Sequence, residues 1–502
     1  MNSTDVIVVG AGPTGLMLAC ELALAGVRCR VLDRRAEQPN ITRAFAVHAR
    51  TLELLDARGL ADDLLPRGVP VREIAPAPGA TLDLRELDTR YPMILIAPQS
   101  GTERVLEGRA RRLGVEIVYG ADVVGLRQDD AGVFLDVDAG GGVHTQRARY
   151  VVGCDGAHSA VRRMLGVDFV GKQYETHILL ADVQLPEPPA EAMFARNNDD
   201  GVVICVPFGD GWFRVIAWDR LRERAPLSEP VTGAEMRDAF RRIAGTDFGM
   251  SEPRWSSRFL SERRQARRYR VGRVFLAGDA AHVHSPLGGQ GMNTGIQDAV
   301  NLGWKLAAAV HGWAPSGLLA TYEAERHPVG ARVLKLTDGF NRLVLGRSRI
   351  RRAMQAAAIR TILRFRASRM AMAGRLTGLG IEYPRGSRAG HRWTGRRMPD
   401  LTCGRDRLYE LLRDGRFVLL DASGSDSAQA DLAGARWPDR VRTARSEPHA
   451  VPGLPRFVLV RPDGYVAWAS DTESGVVAAV SRWCGPAAFT HGDVLTGDVL
   501  GS

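Results

Sequence analysis

Residues 6–9, Val-Ile-Val-Val, run without a break into Gly10-Ala11-Gly12-Pro13-Thr14-Gly15, and a helical pattern follows over residues 16–25. A strand, a glycine turn and a helix in this order predict a doubly wound α/β sheet that binds a dinucleotide. Gly10 permits the tight turn, Gly12 lets backbone approach a pyrophosphate, and Gly15 lets helix and strand pack closely. Pro13 and Thr14 open the helix, whose first amides and positive dipole end suit phosphate. The next strand, residues 27–32, ends in Asp33, placed to accept hydrogen bonds from an adenosine ribose, with Arg34 beside it.

A second stretch, residues 274–305, has the same grammar. The apolar run 274–277 ends in Gly278-Asp279, the loop Pro286-Leu287-Gly288-Gly289-Gln290-Gly291 follows, and apolar positions then recur at three and four from Met292 to Val310. Three glycines in four positions let the loop backbone come close to a flat ligand. The helix dipole behind it favours negative charge there. Residues 150–153 form a third such strand, ending in Cys154-Asp155-Gly156. Asp155 and Asp279 are expected to converge on one extended cofactor. Gln99 heads a predicted helix at 102–113 and can offer an amide, while Arg43 is a candidate pyrophosphate partner because guanidinium matches phosphate. His48 is read as structural.

Between residues 171 and 272 the texture becomes β-rich, with a hairpin of 202–208 and 212–218 around Gly209-Asp210-Gly211. Arg214, Ile216 and Trp218 share one strand face. That face could hold an acidic aromatic substrate, with Arg196 a weaker candidate, or simply be core. Two helices are expected at 318–326 and 329–340, and another at 353–372. The predicted organisation is a dinucleotide domain of 1–170 and 273–385 with an excursion near 66–98, an inserted β domain of 171–272, and a small α/β unit of 400–502 beyond a Gly-, Pro- and Arg-rich linker.

The net charge of +10 raises the question of nucleic acid, but three of the 67 basic residues are lysine and the arginines are spread along the chain. No nucleic-acid partner is expected. Two arginine clusters, at 263–268 and 347–352, are read as solvated faces, the alternative being an anion or membrane-surface patch. Six cysteines stand without CxxC or metal-ligand spacing, so neither a disulfide framework nor a metal site is expected. No apolar run reaches a membrane span, and a cytoplasmic protein without membrane partners is expected.

The motifs GAGPTG (Gly10 to Gly15), CDGAHSAVR (Cys154 to Arg162) and LAGDAAHVHSPLGGQGMNTGIQDAVNLGWKL (Leu276 to Leu306) together resemble the group A flavoprotein aromatic hydroxylases, the para-hydroxybenzoate hydroxylase family. The chain is more closely similar to the branch acting on polyketide antibiotics, which also carries RPDGYVAWA on a C-terminal thioredoxin-like domain. This resemblance implies a Rossmann-like FAD-binding domain, an inserted β-sheet substrate domain and a thioredoxin-like domain, here lacking CxxC. It implies FAD held at its ADP half by Gly10, Gly12, Gly15 and Asp33 with Arg43, Gln99 and Asp155 nearby, and Asp279 on the ribityl chain. The backbone of Pro286 and of Gly288 to Asn293, including Gly289, Gly291 and Met292, would face the flavin.

The implied reaction reduces the flavin with NADPH or NADH, adds O2 to form a flavin hydroperoxide, and transfers one oxygen to a phenolic ring of a polycyclic aromatic or polyketide substrate. Baeyer-Villiger insertion, epoxidation and a flavin-binding protein without oxygenase activity are the alternatives, and no residue declares itself as a base. A homodimer is compatible with this reading. A flavin-dependent halogenase is disfavoured because Trp212 and Trp218 lack the spacing of that family's motif. A plain NAD-dependent dehydrogenase would leave Asp279 and the Gly288 loop without a purpose.

Overall fold

The computed structural model describes residues 4–37, 44–77, 79–345, 348–385, 390–424, 427–447 and 451–487. Its centre is an eight-stranded sheet. Thr4–Val9 lies between Cys29–Asp33 and Val143–Gly153, with Glu116–Tyr119 beyond the first and Val274–Leu276 beyond the second, all these pairs parallel. Val6, Ile7 and Val8 are wholly buried, as an unbroken β-branched run covered on both faces must be. The helices Pro13–Leu24 and Gln290–Val310 pack on this sheet and on each other. The close approach is made by Gly303, where an added Cβ would lie 2.4 Å from Glu21 Cβ.

A six-stranded antiparallel sheet forms the second layer, in the order Phe194–Asn197, Gly201–Pro207, Trp212–Asp219, Phe169–Gln184, Trp255–Ala266, His282–Val283. The hairpin around Gly209 and Gly211 forms as the spacing predicts, with both glycines at positive φ. One face of this sheet packs on the amphipathic helix Gly233–Ala244. The last strand, His282–Val283, comes directly after Asp279, so the loop leading to the long helix is stitched to this sheet. Residues 66–98 supply short strands whose Val71, Ala77 and Ile94 share a core with Val206 and Phe208 of the second sheet.

The helical region departs from the sequence reading. Ala320–Leu345 is one helix through Pro328, because Tyr322, Val329 and Val333 are buried on both sides of the proline and hold the segment in line. The arginine-studded segment instead divides into Arg349–Ile362 and Arg366–Thr377.

The C-terminal unit has a four-stranded sheet, Val441–Arg445, Phe417–Asp421, Phe457–Val460 and Val466–Ser470, flanked by Ala428–Arg436 and Val476–Cys484. Its turn at Arg461 to Tyr465 forms a buried joint with the rest of the chain. Arg461 donates to Glu325 at 2.6 and 2.9 Å and pairs with Asp463, while Lys305 Nζ donates to the same Glu325 at 2.8 Å. Arg50 reaches across to the Asp463 carbonyl at 2.7 Å and stacks on Tyr465. All these charged groups are buried. Burial pushes Lys305 down to about 8, with Glu325 acting against that shift, and the Arg461 and Lys305 cations hold the Glu325 carboxyl far below the usual range against the penalty of burial.

Candidate active site

Four parallel strands end in register. Val9 pairs with Gly153 and with Leu32, and Gly153 pairs with Leu276. Because the strands are parallel, the residues after these ends, Gly10, Asp33, Asp155 and Asp279, emerge on one edge of the sheet. They surround a cleft of about 710 Å³ that runs from Arg34 and Glu103 at one end to Gly291 and Met292 at the other.

At the first end the glycines divide their labour. An added Cβ at Gly10 would meet the Cys154 carbonyl oxygen at 2.4 Å and one at Gly15 would meet the Gly10 oxygen at 1.9 Å, so both are fixed by packing. Gly15 lies outside the cleft lining. A Cβ at Gly12 would have nothing within 4 Å, since Gly12 faces open space at the N-terminus of the helix Pro13–Leu24. Pro13 and Thr14 line the cleft here.

Asp33 accepts from the Ala11 amide at 2.6 Å and from Arg35 at 2.8 Å. Burial opposes its charge, but these bonds more than offset it and hold the carboxyl below the ordinary range. Arg34 also lines the cleft, yet Arg35, which the sequence reading passed over, makes the pair. Gln99 starts its helix, accepts from the Ala44 amide at 3.0 Å and donates to Glu103 at 2.8 Å. Glu103 is 1% exposed, its second oxygen has no partner, and burial pushes it up to about 7. Its only sequence signal is the four-residue spacing from Gln99. Arg43 lies outside the described residues.

In the middle, Asp155 accepts from the amides of Ala160 and Val161 at 2.7 and 3.1 Å, leaving Oδ1 buried without a partner. Arg162 donates to the Ala157 and Ala280 carbonyls, tying the Asp155 turn to the Asp279 turn. Asp279 lines the cleft.

At the far end Gly288 and Gly289 take positive φ, and Gly289 begins the helix Gln290–Val310 without a side-chain cap. Pro286, Gly289, Gly291 and Met292 line the cleft, whereas Gly288 and Asn293 do not. The Asn293 side chain instead accepts from the His48 amide at 2.8 Å and donates to the carbonyls of Ala46 and Gly289, so it fixes the loop from behind. Below it Asp298 binds His282 at 2.7 Å and Arg326 at 2.6 Å, all buried. Burial pushes His48 and His284 down to about 4, so both are neutral near pH 7. The helix dipole is then the positive contribution at this end.

The two arginines assigned to substrate stand elsewhere. Arg214 is wholly buried and pairs at 2.6 Å with Asp182, its cross-strand neighbour, between Phe208 and Trp255. Arg196 sits on the exposed edge strand with Glu191 and stacks on Phe194. The second sheet instead gives the cleft Gln173, Phe259, Leu260 and Arg258, the last held by Glu235 at 2.7 Å. Arg258 was missed because what fixes it, Glu235 on the helix Gly233–Ala244, lies twenty-three residues earlier, on the sheet face where its cross-strand neighbour Leu179 also packs.

Residues 3–337 match the FAD binding domain family and residues 391–487 match the aromatic-ring hydroxylase C-terminal family. The chain therefore belongs to the FAD-binding aromatic-ring hydroxylases. It is 43% identical to a rifampicin monooxygenase of Streptomyces venezuelae, over 96% of this chain and 99% of that protein. The structure of the OxyS anhydrotetracycline hydroxylase from Streptomyces rimosus superposes with a TM-score of 0.85 at 40% identity, covering 96% of this chain and 99% of the other. A dialkyldecalin synthase of Streptomyces rugosporus is 38% identical, over 97% of this chain and 100% of its own.

Proposed function

We propose that this chain is an FAD-dependent, NADPH- or NADH-consuming monooxygenase that inserts one oxygen atom from O2 into a polycyclic aromatic or polyketide-type phenolic substrate. The observation that carries it is the four strand ends in register around one cleft with a helix N-terminus at each end. The donor set fits FAD. Gly12 leaves room for a pyrophosphate at the first helix, Asp33 and Glu103 at that end of the cleft would take an adenosine ribose, and Asp279 would take the ribityl hydroxyls. The buried orphan oxygen of Asp155 sits along the same path.

When bound, FAD supplies the redox chemistry that activates O2. The chain's own residues bind, orient and shield. The Gly289 to Met292 backbone at the head of the long helix would sit against the ring and favour negative charge on it. Asn293, His48 and the Asp298 network hold that loop from behind, so its amides are preorganised. Leu227, Phe259 and Leu260 offer an apolar wall beyond, with Gln173 and Arg258 among the polar groups that would orient a substrate. This wall also excludes water from the reacting face. Antibiotic-type polyketides are the substrate class the relatives' names favour.

A second reading is a flavin-binding protein that performs no oxygenation, favoured by the relative named a dialkyldecalin synthase. The flavin premise itself is tested by denaturing the purified protein and measuring released FAD. Near one FAD per chain is expected, and a colourless protein that does not take up added FAD would remove the reading.

A further inference from the structure

The helix Arg349–Ile362 and the corner after it carry a second surface feature that the cleft does not use. Ten side chains among the described residues are large, apolar and exposed, and four of them lie here: Ile350 at 75%, Met354 at 68%, Ile362 at 47% and Phe365 at 65%. At roughly 100° per residue Ile350, Met354 and Ile362 fall within an arc of about 120°, and Phe365 stands at the corner just beyond the helix end. The opposite side of the helix is seated, with Ala356 and Leu363 buried against the residues 71–84 region. The exposed stripe is thus a second apolar face, in addition to the one that folding buries.

Charge surrounds it. Residues 339–381 contain ten arginines and no aspartate or glutamate, and their charge equals the net +10 of the whole chain. Neighbouring acids take a few of them: Asp338 pairs with Arg342, and Glu86 with Arg366 and Arg369. The 347–352 cluster, of which residue 347 lies outside the described residues, is open in sequence between a solvated face and an anion or membrane-surface patch, and the exposed apolar stripe beside it favours the second. A second copy of the chain docking face to face would bring like charges together. A helix with exposed apolar side chains along one stripe, in a segment rich in arginine and without acids, has the form of an interfacial segment. No helix among the described residues is long and apolar enough to cross a membrane, so any contact with lipid is made from outside.

We propose that Arg349–Ile362, with Phe365, docks this enzyme on the surface of an anionic lipid bilayer. Ile350, Met354, Ile362 and Phe365 enter the acyl boundary while the net positive charge of this arginine-rich segment draws it to anionic headgroups. In the last turn of the following helix, Arg366–Thr377, the Leu376 carbonyl accepts from Gln290 at 2.9 Å at the head of the cleft helix. The docking surface is therefore joined by one helix to the cleft.

The test is sedimentation of the full-length, flavin-loaded protein with vesicles of phosphatidylcholine alone and of phosphatidylcholine mixed with phosphatidylglycerol. Partition into the mixed vesicles only, weakened by salt, is expected. A Met354→Asp, Phe365→Asp double variant should partition about tenfold less while keeping its flavin content and helical signal. Phe365→Ser alone gives a milder variant with a smaller loss in the same direction. No partition into anionic vesicles, or equal partition by the double variant, would overturn the proposal. So would a soluble dimer, seen by light scattering, that the same substitutions dissociate.

Discussion

At the Arg461 turn, Glu325 accepts two hydrogen bonds from Arg461, one from Lys305 and one from Asn301. Along the cleft, the buried oxygens Asp155 Oδ1 and Glu103 Oε2 accept none. Both regions take carboxylates out of water, which is costly unless hydrogen bonds replace the hydration. The joint recovers that cost within the protein. The cleft leaves it open, and a ligand with hydroxyl and phosphate groups is what completes it. The contrast separates charge that holds the molecule together from polarity kept for a cofactor.

Glu325→Gln probes the joint and should have the largest effect. Two buried cations would lose their shared counter-charge, at a cost of about 3–5 kcal/mol. Thermal unfolding should begin well below that of the parent, while FAD affinity measured below the transition stays within about threefold. A large loss of FAD affinity with unchanged stability would erase the distinction between the two regions.

Gly12→Ala probes the cleft and should do the reverse. Its methyl group enters space the protein does not fill, so the flavin-free protein should change by less than about 1 kcal/mol. FAD affinity, read by fluorescence quenching on titration, should fall about a hundredfold, roughly 2.7 kcal/mol. Unchanged affinity would mean that the pyrophosphate lies elsewhere.

Glu103→Gln should show the smallest effect, and one that depends on pH. Burial raises the Glu103 carboxyl in the folded protein from its ordinary 4.5 to about 7. Between those values the folded state binds more protons than the unfolded chain, so its contribution to stability falls as pH rises and is fully unfavourable above about 7. The Gln variant should therefore gain on the order of 2 kcal/mol above pH 7, with the gap closing toward pH 4.5. A gap of constant size across this range would contradict the burial assignment.

The sequence was informative where chemistry follows strand ends. Gly12, Asp33, Asp155 and Asp279 each sit one to three residues beyond an apolar run, and a parallel sheet brings such positions together whatever else the chain does. It was misleading where chemistry depends on register. Arg214 shares a face with Ile216 and Trp218 as expected, but Asp182, thirty-two residues earlier, lies directly across from it and claims it. Asn293 was recognised, yet its side chain serves the back of the loop, which only the position of Ala46–His48 determines. The joint was illegible because its members, Arg50, Lys305, Glu325 and Arg461, are scattered over four hundred residues and meet only after the units pack.

The most direct measurement is NADPH oxidation by the purified flavoprotein under 18O2, with and without polycyclic phenols, followed by product mass. The account predicts consumption stimulated by substrate and a product carrying one heavy oxygen atom. Bound FAD with no labelled product from any substrate that it transforms would contradict the monooxygenase assignment and favour the reading in which the flavin site serves a reaction without oxygen transfer.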